Sequence, residues 1–159
     1  MLPEAWAHLR IRSANNGDRA AIENLVFDVL REFDLSPDPE NTDADLKDIE
    51  ANYLVRGGVF DVIEDDHAIV GTIGLYPVDA AVCELRKMYL VGEARGRGLG
   101  KYLLERSVVQ ARELGFSRIV LETSSKLPAA IRLYVNFGFH QIELLHASPR
   151  ADQSYALDI

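Results

Sequence analysis

The residues best suited to chemistry stand in one run, Arg95-Gly96-Arg97-Gly98-Leu99-Gly100-Lys101. The run follows a segment of strand character and opens a helical one. A helix start exposes unpaired backbone N–H groups and carries positive partial charge. Glycine lets a diphosphate approach that backbone closely, and Arg95, Arg97 and Lys101 add charge where a phosphate would sit. Taken alone, the run reads equally well as a glycine-rich turn with solvated basic residues. Two common phosphate patterns fail here. The Walker pattern needs glycine where Arg95 stands and Ser or Thr where Tyr102 stands. The dinucleotide pattern needs a further glycine where Lys101 stands.

The elements that must carry this loop follow from periodicity. Leu9 to Ser13 alternates as a short strand, broken by Asn15, Asn16 and Gly17. From about Asp18 to Phe33, the residues Ile22, Leu25, Val26, Val29, Leu30 and Phe33 recur at helical spacing. Pro37 and Pro39 make Ser36 to Asn41 a loop. Thr42 is expected to cap a second helix, with Asp43 and Asp45 in its first turn, Leu46, Ile49, Tyr53 and Leu54 on its buried face, and Gly57 and Gly58 at its end.

Val59 to Glu64 and Ile69 to Tyr76 read as strands of a hairpin turning at Asp65, Asp66 and His67. A strand over Val82 to Leu90 precedes the glycine loop, and a helix from about Gly98 to Leu114 follows it, terminated by Gly115. Then come a strand over Ser117 to Thr123, a helix capped by Ser124 or Ser125 that ends near Phe137, and strands over Phe139 to Leu145 and Gln153 to Ile159. The expected fold class is α/β (α+β): a twisted, mostly antiparallel sheet of six to seven strands, with about four helices and one parallel crossover through helix 98–114.

Composition narrows the function. A chain of 159 residues suits one domain, 1–159, that needs no disulfide or metal to hold its core. Its formal net charge of -8 opposes binding to phosphate backbones, so neither nucleic acid nor an anionic membrane is expected as partner. Cys83 is the only cysteine, which suits a reducing compartment and a small core residue. No signal segment opens the chain and no apolar stretch is long enough to span a bilayer, so a cytoplasmic location is expected. His67, His140 and His146 lack ligand-like spacing and make no recognisable zinc site with Cys83, so they read as surface or turn residues and no metal is expected. A triad hydrolase is not expected, because no Ser-x-Gly elbow accompanies a histidine and acid in a convincing order.

Three blocks in order carry a family resemblance. Arg95, Gly98 and Gly100 occupy the fixed places of an Arg/Gln-x-x-Gly-x-Gly/Ala pattern. Glu84-Leu85-Arg86-Lys87-Met88-Tyr89-Leu90-Val91 precedes it, and Ala130-Ile131-Arg132-Leu133-Tyr134-Val135-Asn136-Phe137-Gly138-Phe139 follows it. From about Cys83 to Glu143 the chain resembles the GNAT superfamily of N-acetyltransferases. The resemblance implies that acetyl-CoA is the acetyl donor and that the loop from Arg95 to Lys101 (Arg95, Gly96, Arg97, Gly98, Leu99, Gly100, Lys101) holds its diphosphate. It also implies that the backbone of Met88, Tyr89 and Leu90 pairs with pantetheine along a strand edge, and that a backbone N–H near Leu90 polarises the thioester carbonyl.

Direct transfer to an amine needs a proton acceptor and a proton donor. Tyr134 matches the family tyrosine near the sulfur and is the candidate acid, since a phenol of ordinary pKa about 10 is protonated at neutral pH. Its alternative is a half-buried aromatic beside Leu133 and Phe137. Glu84 is the candidate base, acting through water. Its alternative is a charge partner of Arg86 on the same strand face. Leu127 stands where many relatives carry an asparagine that contacts the cofactor, and Gly92 where proline is frequent.

The acceptor is expected to be a small-molecule amine, such as an amino acid or polyamine. Phe33, Tyr53 and Phe60 are candidate lining for its site. A protein amine as acceptor, and an acyl-CoA-binding sensor without catalysis, are the alternatives. An edge strand near the C-terminus is compatible with a homodimer.

Overall fold

The structure is a computed structural model that describes residues 2–146 and 148–159. Seven strands form one sheet: β1 (Leu9–Ser13), β2 (Val59–Asp65), β3 (Ala68–Pro77), β4 (Val82–Leu90), β5 (Arg118–Thr123), β6 (His140–Ile142) and β7 (Gln153–Asp158). Their order across the sheet is β1-β2-β3-β4-β5-β7-β6, and only β4 and β5 run parallel. Three α-helices flank it, α1 (Arg19–Glu32), α2 (Leu99–Glu113) and α3 (Pro128–Phe137), together with a one-turn π-helix at Glu50–Leu54. This is the expected mixed, mostly antiparallel sheet, with α2 as the crossover between its two parallel strands. Among the described residues no helix is long and apolar enough to cross a membrane.

Strand alternation sends side chains into two separate cores. Phe60 and Val62 of β2 pack with the α1 stripe Ile22, Leu25, Val26, Val29 and Leu30 on one face. Ile63 packs on the other, with Cys83 and Leu85 of β4 and Leu103, Leu104 and Ala111 of α2. Cys83 is fully buried, and burial pushes its thiol up to about 12, as befits an inert core residue. The β2–β3 turn is tight: Asp66 and His67 both take positive φ, 46° and 71°, which matches the twist of the strands it joins.

Two segments differ from the sequence expectation. The second helix does not form as one element. Ala44–Lys47 is a 3₁₀ turn, Asp48 is extended at φ -147°, and Glu50–Leu54 is the π turn. Thr42 does not cap it; its N–H and hydroxyl both donate to Asp38, at 3.0 and 2.9 Å. Asp43 and Asp45 turn inward to buried cations rather than to helix amides. Partners distant in sequence thus outcompete local helix formation. α3, likewise, starts without a serine cap. Ser125 is tied to Asp152 (2.6 Å to its hydroxyl), and Pro128 opens the helix instead. The strand expected over 139–145 shortens to His140–Ile142.

Candidate active site

The site begins with a break in the sheet. β4 and β5 pair only from Val82↔Arg118 to Leu85↔Leu121. Beyond Leu85 the strands part, and β5 continues against β7 alone. The β4 edge from Arg86 to Leu90 therefore has no strand beside it, leaving ladder positions for an added extended chain.

A bulge then changes which way β4 faces. Gly74 pairs with Arg86 and Thr72 with Tyr89, so Lys87 and Met88 together oppose Ile73. Lys87 takes φ 53°, and the Thr72 hydroxyl donates to its carbonyl at 2.6 Å. Before the bulge Cys83 and Leu85 enter the α2-side core; after it Met88 and Leu90 do. Glu84, Arg86, Lys87 and Tyr89 are thereby left on the α1 side. Without the extra residue, Lys87 would point into the apolar core.

A cleft of about 800 Å³ follows the gap from the start of α2 to the apex where β4 and β5 separate. At one end stands the glycine loop. Gly98 sits at the helix N-cap with φ 87°, and Gly96 has φ 78°. A Cβ at either would meet nothing within 4 Å, so backbone conformation and open space, not crowding, call for glycine there. The first intrahelical bond runs from Tyr102 N–H to Gly98 C=O, leaving the N–H groups of Leu99, Gly100 and Lys101 ahead of it.

Gly96, Gly98, Gly100, Lys101 and Arg95 line the cleft; Arg97 and Leu99 do not. Leu99 is a core residue, 1% exposed. The Arg97 guanidinium lies 4.7 Å from the Trp6 ring and donates to the Glu93 carbonyl at 2.7 Å. Arg95 is occupied as well: its Nε donates to the Leu90 carbonyl at 2.8 Å and its guanidinium pairs with Glu32. Of the three cations expected at a phosphate, two are engaged in holding the loop. Lys101 remains exposed, 3.9 Å from Glu105.

Midway, Met88, Tyr89, Leu90, Leu127 and Tyr134 line the walls. Leu127 thus places an apolar wall at this point of the cleft. Tyr134 is 7% exposed on α3, packed against Phe139 at 5.8 Å between ring centroids. Burial, then neighbouring Tyr89, pushes its phenol well above 10, so it holds its proton at neutral pH.

The far end is built from charged side chains. Glu84, on β4, pairs with Arg86 as expected, and its side chain is only 6% exposed. Glu122, on β5, stands two residues past the Val120 that pairs with Glu84, so the two carboxylates share one sheet face. His146 was expected at the surface, away from any cluster. Its ring is 59% exposed, but its Nε2 lies 3.4 Å from Glu84 Oε2 and 3.7 Å from Glu122 Oε1. Ser148, Arg150 and Ala151, also between β6 and β7, line the cleft with it.

Behind them lies a buried ionic layer. Arg150 donates to both Asp43 oxygens, at 2.9 and 2.7 Å. Lys87 Nζ is 3.3 Å from Asp43 and 3.2 Å from Asp45. Burial alone would raise the Asp43 carboxyl, but the Arg150 hydrogen bonds and the charge of Lys87 outweigh it and hold it below 3.8.

Phe33, expected to line the acceptor site, lines the cleft with its ring 5.0 Å from the Arg95 guanidinium, at the glycine-loop end. Tyr53 and Phe60 do not: both are fully buried in the α1-side core, and the Tyr53 hydroxyl donates to Asp45. Sequence reasoning missed Glu122, Lys87 and Arg150. Strand alternation could have pointed to Glu122. Lys87 depends on the bulge and Arg150 on the course of a loop, and neither leaves a local signal.

A parted parallel strand pair with a glycine-capped helix start at one end frames the site. Residues 15–139 match the model of the acetyltransferase (GNAT) family, and the chain belongs to that family. It is 37% identical over 131 residues to YjgM, an uncharacterized N-acetyltransferase of Escherichia coli, covering 79% of this chain and 78% of that protein. A GNAT-family acetyltransferase from Staphylococcus aureus superposes with a TM-score of 0.88 at 28% identity, covering 94% of this chain and 98% of the other. The fold is also that of yncA from Salmonella typhimurium, solved with its cofactor acetyl-CoA (TM-score 0.73, 22% identity, 95% and 94% covered).

Proposed function

We propose that this protein is an amine N-acetyltransferase that moves an acetyl group directly from acetyl-CoA to the primary amine of a small molecule, with both substrates bound together. The observation that carries this reading is the continuity of the cleft. It runs from free helix-start amides, along an unpartnered strand edge, to a buried carboxylate, with Tyr134 in the wall between. The amides ahead of Tyr102 suit a diphosphate. The open edge of Met88 to Leu90 suits the amide groups of a pantetheine arm. Glu84 removes the proton that keeps the amine unreactive, and Tyr134, still protonated at neutral pH, supplies one to the departing thiolate.

The test couples binding with turnover. Calorimetry should detect acetyl-CoA binding, and thiol release should depend on an added primary amine. Replacing Tyr134 by Phe should slow turnover about 100-fold while leaving acetyl-CoA affinity unchanged. An unaltered rate would remove Tyr134 as the acid, and absence of acetyl-CoA binding would overturn the reading as a whole.

A further inference from the structure

Among the described residues three buried carboxylate oxygens lack hydrogen bonds: Asp45 Oδ1, which lies 3.2 Å from Lys87 Nζ, and, at the apex of the cleft, Glu84 Oε2 and Glu122 Oε2. A buried acceptor atom without a donor is costly unless something binds it. Glu84 is more than nine-tenths buried, and its other oxygen is taken by Arg86. Its free oxygen faces the cleft, and His146 stands beside both carboxylates on the solvent side. Each cation deeper in the pocket has its own anion: Lys87 has Asp43 and Asp45, and Arg150 has Asp43.

We infer that Glu84 and Glu122 form a cradle for the ammonium group of the acceptor, with His146 as its outlet to solvent. The acceptor is thus a primary alkylammonium that arrives protonated. This deepens the acetyl-transfer reading and rests on it. Charge balance selects a monocation. Two ionised carboxylates less one guanidinium, Arg86, leave one net negative charge at the apex. A divalent metal would have the Arg86 guanidinium as an immediate neighbour and only three side chains to ligate it. An ammonium needs only acceptors within hydrogen-bond reach, and two are free.

The proton steps balance. One N–H bond of R–NH3⁺ breaks as an O–H bond forms on the carboxylate pair, and that proton leaves past His146. The freed lone pair of R–NH2 forms the N–C bond to the acetyl carbon as the C–S bond breaks. The departing sulfur takes the Tyr134 proton, and the phenolate recovers one from the new amide nitrogen. The sum is R–NH3⁺ and thioester giving amide, thiol and one H⁺. In the first of these steps Glu84 takes the proton, and Glu122 beside it shares it. Burial, then the charge of Glu84, raises the proton affinity of Glu122 above that of an ordinary glutamate, while His146 and Arg86 oppose this.

The test uses the whole chain. n-Butylammonium chloride is titrated while the carboxyl carbons of Glu84 and Glu122 are followed by 13C NMR, with n-butanol and sodium chloride as controls. Saturable shifts with butylammonium alone are expected. Affinity should fall about tenfold in E122Q, whose isosteric amide preserves the fold, as a thermal melt would verify. With acetyl-CoA present, E122Q should raise the KM for butylamine by a similar factor and leave that for acetyl-CoA unchanged. Equal butylammonium affinity in E122Q would overturn the cradle, as would zinc chloride saturating both carbons at micromolar concentration while butylammonium is silent. Failure of acetyl-CoA to bind would strike the transfer reading instead, since the butylammonium titration needs no acetyl donor.

Discussion

The two ends of the cleft are made of different materials. The α2 end is main chain: amides ahead of Tyr102, two glycines at positive φ and an open strand edge, with Arg95 and Arg97 turned to structural tasks. The apex is side chain: Glu84, Glu122 and His146 in front of a buried layer of Asp43, Asp45, Lys87 and Arg150. A main-chain site depends on local conformation and tolerates change in most side chains. A side-chain site depends on which distant segments meet, so it can be retuned by a few substitutions.

The sharpest way to break the contrast is at the buried layer. Replacing Lys87 by Met strips Asp45 of its cation and leaves Asp43 to Arg150 alone. It should destabilise the protein by about 3–5 kcal/mol in urea unfolding, because an uncompensated charge remains buried. A loss below about 1 kcal/mol would show that the layer is wetter than its geometry implies.

A smaller effect is expected at the main-chain end. Valine at Gly98 must hold φ 87°, at a cost of about 1–2 kcal/mol. Its side chain would also project into open space beside the helix start. Acetyl-CoA affinity should drop about tenfold or more by calorimetry, with butylammonium shifts at the apex intact. Equal damage to both would merge the two ends into one cooperative unit.

The smallest effect sharpens the role of Glu122. Its folded-state proton affinity lies above the ordinary 4.5. Ionising it therefore favours the unfolded chain, and stability is lost as pH rises from about 4.5 through the folded value. Glu84, Arg86 and His146 are the charged or titratable groups it faces. E122Q should melt higher than the parent at pH 7, and the gap should close at pH 4. A lower Tm at pH 7 would mean that Glu122 serves the fold rather than the site.

The glycine-loop end was legible in the sequence because its determinants are local. Glycines at 96 and 98, the helix stripe behind them and the strand before them lie within one stretch of chain. Each element there formed within a residue or two of expectation. Glu84 and its Arg86 partner were legible for the same reason, being two residues apart on one strand.

The apex was not. Asp43 and Asp45 carry every mark of a helix's first turn, yet their cationic partners are distant: Lys87 for both and Arg150 for Asp43, which lies 44 and 107 positions from them. His146 and Glu122 are separated along the chain and lie 3.7 Å apart only in the folded protein. By itself the sequence determined the elements, their order and the loop that suits a diphosphate, since periodicity and backbone freedom act over a few residues. Only the tertiary structure decided which charges gather at the apex of the cleft, since electrostatic pairing acts through space and is indifferent to separation along the chain.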